Sequence, residues 1–552
     1  MKILSSAFLS HDSSATIITD GKIEEYILAE RKTRKKHEYR MFEIFHRELI
    51  HDENKQIKNY DSISCSFFND LHYERYRDYL YLLKNLKSLN ILFSEKDHHL
   101  CHAYTGFYSS NFTDAICIVI DGNGSTFRPE EVGRHDDDLY FETQSVYEFK
   151  DGKIEKVISK EYTPYSATCF YGSESVDTLN QNFFDLNFEE KIYNPDKKSY
   201  ILGVDTNYPL GIGMLYSTIT EKIGFNFLEC GKVMGLAQYK GYENKLPPKY
   251  STDEWKRKVE ISHKLQKITE TKILKLVEKY ANETGIKNIV LTGGVFLNCV
   301  SNFNLVKNIQ GINLHIDPIC SDNGISVGKA ILTYIEETKK NPSRIGIPYF
   351  GYEENTQSLK LKVKDSNFDF IENVKYADIV EILLKGEIVS LFQGKSESGQ
   401  RSLGNRSLLF DPRIKNGRTI VNRIKKREDY RPFAASVLLE HAKDWFDMHS
   451  LDESPTMSFA VDSYENAVKL VPSVIHADGT CRIQTVTKKQ NYHFYNLIKE
   501  FYKKTNVPML LNTSFNLSKE PLVETFDDAI NVMKSSELKY LYLPEINTLV
   551  KK

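Results

Sequence analysis

No apolar run in the 552 residues approaches the roughly 18 that a membrane helix needs; Ala115–Ile120 is among the longest. The opening MKILSSAFLSHDSS has one Lys and a short apolar stretch, too brief for the apolar region of a signal peptide. The chain therefore reads as cytoplasmic, with no membrane partner. Charge of one sign is also missing. Lys plus Arg number 73 and Asp plus Glu 75, a net charge of −2. Without a basic excess or basic tail, nucleic acid is a disfavoured partner. None of the 8 Cys forms a CxxC pair, which leaves buried free thiols as the plain reading. Low-complexity segments and charge runs are absent. What remains, 41% hydrophobic and 27% charged, is an ordinary globular composition with enough chain for more than one core.

The N-terminus reads as strands. Ile3–Leu9 is followed by a polar turn, then Ala15–Thr19, the hairpin signal Asp20-Gly21 and Lys22–Ala29. The plan recurs. Ala115–Ile120 ends in the turn Asp121–Ser125, and DGKIE at 151–155 repeats 20–24 letter for letter. Two related halves, each opening with a β-meander, are expected. Further on, Ile261–Thr284 has helical periodicity and stops at Gly285. Asn288–Leu291 and Ile312–Ile316 read as strands, each leading into a Gly-containing turn, and Ile325–Glu337 as a helix. Asn341–Asn355, rich in Pro, Gly and Tyr, marks a domain boundary. The expectation is one α/β domain over 1–345 and a second over 346–552.

Three motifs could carry chemistry. In DHHLCHA at 97–103, His98 and His102 lie one helical turn apart, so both imidazoles can face one metal. Alone, this spacing is more often structural. Asp121 and Asp322 each close a strand, so a two-His, two-Asp site is conceivable; such N/O ligation suits Fe2+ or another divalent ion. The second motif is the set of turns at Gly122-Asn123-Gly124, Gly293-Gly294 and Asp322–Gly324, where backbone N–H groups could approach phosphate. The third is a basic cluster: Arg401, Arg406, Arg413, Lys425, Arg427 and Arg431, with Arg482 and the turn Asn512–Asn516 downstream. Arg forks recognise phosphate and carboxylate, and interleaved Gly, Asn and Pro argue for a shaped pocket.

With these residues in hand, the chain resembles the O-carbamoyltransferase family of antibiotic and nodulation-factor tailoring enzymes. The resemblance runs nearly end to end. It rests on HDSSA at 11–15, the Glu30–His37 element, DHHLCHA, IDGNG at 120–124, GKVMGLAQY at 231–239 and LTGGVFLNC at 291–299. SDNG at 321–324, RSLGNRSLL at 401–409, KKREDYRPFA at 425–434 and LLNTSFN at 510–516 complete it. It implies a duplicated actin/Hsp70/sugar-kinase-like, Kae1-like N-terminal domain and a YrdC-like α/β C-terminal domain.

The resemblance also implies an activity. ATP and carbamoyl phosphate, with Mg2+ admissible beside the nucleotide, would form carbamoyl-adenylate in the C-terminal domain. The carbamoyl group would then pass to an acceptor hydroxyl in the N-terminal one. Arg401, Arg406, Lys425, Arg431, Arg482, Ser514 and Asn516 would hold carbamoyl phosphate and nucleotide, with Met457 lining the pocket. His98, His102, Asp121 and Asp322 would hold the metal, and His11 would act as base. Lys36, Gly122, Asn123, Gly124, Gly293, Gly294 and Asn298 would contact the adenylate. SGQRSLG stands at 398–404 where the family has FGPRALG, and Ser125 where it often has an acid.

The acceptor is not encoded by any motif. A sugar, an aminoglycoside, a polyketide alcohol and a hydroxymethyl nucleoside or nucleotide all fit, and the Tyr- and Phe-rich stretch 126–200 is a candidate lining. A homodimer is compatible. A fused tRNA threonylcarbamoyl-adenosine synthase is opposed by the missing basic tail. A non-catalytic nucleotide-binding module leaves the basic pocket unexplained.

Overall fold

The computed structural model describes residues 1–8, 11–38, 59–67, 90–94, 96–133, 139–164, 193–194, 199–200 and 211–552. Leu9 and most of the aromatic stretch beyond Pro164 lie outside them.

The first sheet contains β1 (Lys2–Phe8), β2 (Ser14–Thr19), β3 (Lys22–Leu28), β4 (Ser62–Phe67) and β5 (Asn90–Ser94), in the order β3-β2-β1-β4-β5. The meander β1–β3 is antiparallel, and β4 and β5 add in parallel. The second sheet contains β6 (Ala115–Ile120), β7 (Thr126–Phe127), β8 (Tyr140–Lys150) and β9 (Lys153–Pro164). After a two-residue ribbon, β10 (Tyr193–Asn194) and β11 (Ser199–Tyr200), it is completed by β12 (Asn288–Thr292) and β13 (Asn313–Ile316). Its main order, β9-β8-β6-β12-β13, repeats the first sheet strand for strand, with the same antiparallel and parallel pairings. The two DGKIE segments are the two equivalent hairpin turns. Asp20 and Gly21 have φ of 47° and 77°, and Asp151 and Gly152 have 49° and 83°, as a two-residue turn matched to strand twist requires.

Helices join the repeats. We number α1 (Ala29–Thr33), α2 (His98–Ser109), α3 (Ile212–Lys222), α4 (Cys230–Ala237), α5 (Asp253–Thr284), α6 (Cys299–Asn308) and α7 (Ile325–Thr338). Helix α5 begins eight residues before the expected Ile261, because its charged first two turns carry no apolar periodicity. Helix α2 follows the first sheet but packs on β6, β8 and β12 of the second; α7 follows the second sheet but packs on β1, β2 and β4 of the first. The helices touch closely. A Cβ on Gly328 of α7 would lie 1.9 Å from the carbonyl oxygen of Cys101 on α2, so only Gly fits. Ala103, Phe107, Val119, Phe149, Val327 and Ile331 fill the core between them.

Residues from Thr356 onward build a third, ten-stranded mixed sheet. Its strands are β14 (Asp369–Ile371), β15 (Val389–Phe392), β16 (Arg406–Phe410), β17 (Ala434–Leu438) and β18 (Phe446–Asp447), followed by β19 (Phe459–Ser463), β20 (Thr480–Val486), β21 (Met509–Ser514), β22 (Tyr540–Leu543) and β23 (Thr548–Lys551). The order is β14-β23-β22-β15-β16-β21-β17-β20-β19-β18. The described residues are thus α/β in both halves, and the segment 341–355 falls between the second and third sheets. Of the seven described Cys, all are free thiols; six are buried and Cys230 is half-buried. Among the described residues no helix is long and apolar enough to cross a membrane.

Candidate metal centre and anion site

Helix α2 starts where two side chains pin it. Asp97 accepts from Ser66 Oγ at 2.6 Å and from Lys329 Nζ at 2.8 Å. Ser125 Oγ accepts the His98 backbone N–H at 3.3 Å, so the residue that departs from the family pattern supports the first turn of the helix. His98 and His102 then project from one face towards Asp121, just past the end of β6, and Asp322, which does not close β13 as expected but sits in the short 3-10 turn before α7. His98 Nε2 lies 3.0 Å from Asp121 Oδ2 and 3.5 Å from Asp322 Oδ1; for His102 Nε2 the same distances are 3.3 and 3.6 Å. All four residues are buried, and their donor atoms lie within 4.8 Å of one another. The four residues singled out in the sequence therefore converge.

Their electrostatics fit a cation. Burial works against charge on every member, yet Asp322 and Asp121 raise His98 to about 10 and raise His102, while the imidazoles hold Asp121 well below the usual carboxylate range. Two buried carboxylates thus demand two positive charges. In the bare protein two imidazolium protons supply them; a divalent ion supplies the same charge and leaves both imidazoles neutral, as ligands must be. The all-N/O donor set suits Fe2+ or a similar ion.

His11 stands beside this cluster. Its Nε2 lies 3.6 Å from Asp322 Oδ2, and its Nδ1 lies 3.1 Å from Asp12 Oδ2. Asp12 Oδ1 in turn lies 3.0 Å from His37 Nδ1, and the His37 backbone N–H donates to Glu30 at 3.1 Å. Burial opposes the His11 imidazolium, but the Asp12 contact and the Asp322 charge raise it to about 9. His37 was visible in the sequence only as part of a motif, with no role attached.

The Gly turns serve the metal centre more than a phosphate. Gly294 N–H donates to Asp121 Oδ1 at 3.1 Å, orienting it. Gly293 has φ 97° and lies so close to β6 that a Cβ would meet Ile120 O at 2.2 Å. Gly124 packs against the His99 ring, whereas Gly122 faces open space and Asn123 Oδ1 is buried without a partner among the described residues. Asn298 corrects the sequence expectation. Its Oδ1 caps α6 through Ser301 N–H at 3.1 Å and its Nδ2 donates to Gln266 at 2.9 Å, so its amide is spent inside the fold.

The basic cluster gathers on the third sheet. Lys425 is buried, and its ammonium donates to the Ser514 carbonyl, to Asn516 O at 2.8 Å and to Asn516 Oδ1 at 3.0 Å. These are neutral oxygens. Burial, together with Arg427, Arg431 and Lys36, pushes the Lys425 pKa far down. Arg482, on β20, is lowered to about 10 by burial and by Arg401 and Arg431, and its Nε lacks a partner among the described residues. Arg431 is held by Glu428 at 3.5 Å. A cluster of mutually repelling cations with so little carboxylate is an anion site. Exposed Lys36, from the N-terminal half, joins it rather than the Gly turns.

Two residues expected here do other work. Arg406 is fully buried over the Phe392 ring at 3.7 Å and donates to five backbone carbonyls, those of Gln393, Gly394, Asn405, Tyr352 and Glu524. No donor is left for substrate. Met457, 2% exposed, packs against Leu403 and Ala434 in a small apolar cluster. It underlies the site rather than lining it, in a left-handed backbone conformation of φ 58°.

The two sites adjoin. Arg401 Nη2 donates to Leu297 O at 3.0 Å, at the end of the turn that starts with Gly294. One residue on from Asp322, Asn323 donates to Ser398 O at 3.2 Å.

The description Carbamoyltransferase N-terminus matches residues 242–331, and Carbamoyltransferase C-terminus matches 380–552. Nodulation protein NolNO of Sinorhizobium fredii is 27% identical over 96% of this chain and 77% of its own. Nodulation protein NolO of Bradyrhizobium diazoefficiens is 33% identical over 50% of this chain and 52% of its own. The 3'-hydroxymethylcephem-O-carbamoyltransferase of Streptomyces clavuligerus is 29% identical over 46% of each. Among solved structures, T.kodakarensis HypF is 17% identical, with a TM-score of 0.38 over 61% of this chain and 48% of its own, too distant to carry an argument.

Proposed function

The chain belongs to the O-carbamoyltransferase family, and from that premise we propose that it is an ATP-dependent enzyme working in two half-reactions at its two adjoining sites. We assign the first to 346–552, where water cleaves carbamoyl phosphate to carbamate and phosphate, and a carbamate oxygen then bonds to the α-phosphorus of ATP as pyrophosphate leaves, giving carbamoyl-adenylate. We assign the second to 1–345, where the carbamoyl group passes to an acceptor hydroxyl. The observation that supports this reading is the pairing of a cation-demanding cluster with a carboxylate-poor anion site, joined by the Arg401–Leu297 contact.

In the first site, Lys425, Arg431 and Arg482 hold the phosphate oxygens of both substrates. Their charge lowers the repulsion between two polyanions and is already in place when the reaction begins. Ser514 and Asn516 fix the Lys425 ammonium. In the second site His98, His102, Asp121 and Asp322 would hold the divalent ion, which supplies Lewis-acid polarisation of an oxygen. With that charge in place Asp121 and Asp322 would be offset, and Asp12 would be the main carboxylate acting on His11. His11 Nε2 then takes the acceptor O–H proton as the oxygen bonds to the carbamoyl carbon. The bond from that carbon to the adenylate oxygen breaks, and AMP leaves with the electron pair. An alcohol is a poor nucleophile near neutral pH, so both the base and the mixed anhydride are needed.

The test needs no acceptor. Purified protein is incubated with ATP and carbamoyl phosphate, and phosphate, pyrophosphate and carbamoyl-adenylate are followed by mass spectrometry. Products that require both substrates support the reading. Products that form only with threonine and bicarbonate would replace it with threonylcarbamoyl-adenylate synthesis.

A further inference from the structure

A cavity of about 580 Å³ opens between β8–β9 and α5, and nothing in the reaction above uses it. Lys160 of β9 and Lys272, Lys275 and Lys279 of α5 line it, together with one carboxylate, Glu161, and the Tyr162 ring. The three α5 lysines recur at i, i+3 and i+7 and so share one helix face. Like charges stacked at that spacing weaken a helix unless something anionic lies among them. Lys160 is paired with Glu142 at 2.8 Å. Lys272 is half-buried, and burial lowers its pKa against the pull of Glu161. Lys279 rests over the Tyr280 ring at 4.8 Å. Among the described residues, Lys272, Lys275 and Lys279 have no ion pair.

The cavity is next to the metal centre. Ile120, in its wall, immediately precedes Asp121; Thr143, also in its wall, accepts the Asp121 backbone N–H at 3.3 Å. The end of β6, which leads into Asp121, therefore forms part of the cavity wall.

We infer that this cavity takes the anionic end of the acceptor, and therefore that the acceptor is a phosphorylated hydroxyl compound. The inference rests on the carbamoyl-transfer reading and deepens it. A phosphate dianion placed against Lys272, Lys275 and Lys279 would offset two of the three charges on the helix face. A neutral alcohol would leave it unpaired, and a cationic aminoglycoside would be repelled. Of the acceptor classes open from sequence, the cavity favours the nucleotide over the other three.

The test uses the full chain and ribose 5-phosphate as probe, with ribose as the neutral control, by titration calorimetry. The phosphate ester is expected to bind while ribose does not. Binding should persist in R482A, whose loss affects the other anion site. It should fall at least tenfold in K272E/K275E and be retained in K272R/K275R. Equal binding of ribose, no binding by the wild type, or wild-type affinity in K272E/K275E would each overturn the inference. Pyrophosphate release from ATP and carbamoyl phosphate is measured on the same preparations. Normal release by K272E/K275E shows that its fold and first site are intact; absence of release in the wild type would sink the carbamoyl-transfer reading rather than the cavity.

Discussion

Lys329 and Asp97 form an ion pair of 2.8 Å with their side chains 5% and 4% exposed, tying α7 to the residue that starts the metal-bearing helix. Removing one partner leaves a buried, uncompensated charge, which typically costs about 3–5 kcal/mol. Lys329→Met should lower stability by that order in urea denaturation and also weaken Co2+ binding followed by absorbance. The double variant Lys329→Met/Asp97→Leu should recover part of the stability but not the metal affinity, because the start of α2 is no longer anchored.

The two half-reactions should separate by mutation. Arg482→Ala and Lys425→Ala should reduce carbamoyl phosphate-dependent pyrophosphate release at least 100-fold. Normal release in both would remove the assignment of the first site. His102→Ala, or chelation of the metal, should spare that release and block transfer. A folded His102→Ala protein that loses both equally would sink the two-site scheme.

Asp12 holds His11 through Oδ2, while His37 Nδ1 lies 3.0 Å from its Oδ1 and 3.2 Å from its Oδ2. This fixes the ring so that Nε2 faces the metal cluster. Asp12→Asn should slow acceptor-dependent consumption of preformed carbamoyl-adenylate by on the order of 10²-fold, the range for losing an aligned base. The acceptor KM and pyrophosphate release should be unchanged. His37→Gln, which acts one step further out, should cost less. A change in acceptor KM alone would mean that these residues bind the acceptor rather than orient the base.

His476 gives the fold an acid-labile element. It is buried against Thr480, and burial, with Arg482 nearby, lowers it from the ordinary 6.5 to about 4. Between those values the unfolded chain binds a proton that the folded one refuses, so stability is lost as pH falls from about 6.5 to about 4. The urea midpoint should drop across that window, and His476→Gln should flatten the drop. An identical slope in the variant would exclude His476 as the source.

The parts legible in sequence are those set by local periodicity. The i, i+4 spacing of His98 and His102 is a property of any helix, and the repeated DGKIE shows up as two equivalent hairpins because turn chemistry is local. Asp121 was readable as a strand end; Asp322, read the same way, lies instead in the short turn before α7, and the packing of that turn on α2 is what brings it to the imidazoles. The basic run was harder. Arg401, Arg406 and Arg431 look alike in sequence. That Arg406 serves a ring of carbonyls depends on β15, β16 and the segment near Glu524 meeting over more than a hundred residues of chain. Asn298 reads equally as a ligand donor or a helix cap. The His37–Asp12 contact needs both residues at positive φ, 59° and 55°, a conformation that nothing in their neighbours announces.

The exchange of α2 and α7 between the sheets has a consequence for how the N-terminal half can come apart. Each repeat lends its closing helix to the other, as two subunits of a domain-swapped dimer would, here fused into one polypeptide. A fragment cut between the repeats would leave one sheet without its cover, exposing the apolar faces around Ile3 and Ile18 or around Val119 and Phe149. The metal ligands follow the same division, with both imidazoles on the lent helix and both carboxylates in the borrowing repeat, Asp121 just past β6 and Asp322 in the turn before α7. The pseudo-symmetric unit is therefore not a separable module: residues of both repeats must come together before an ion can be held.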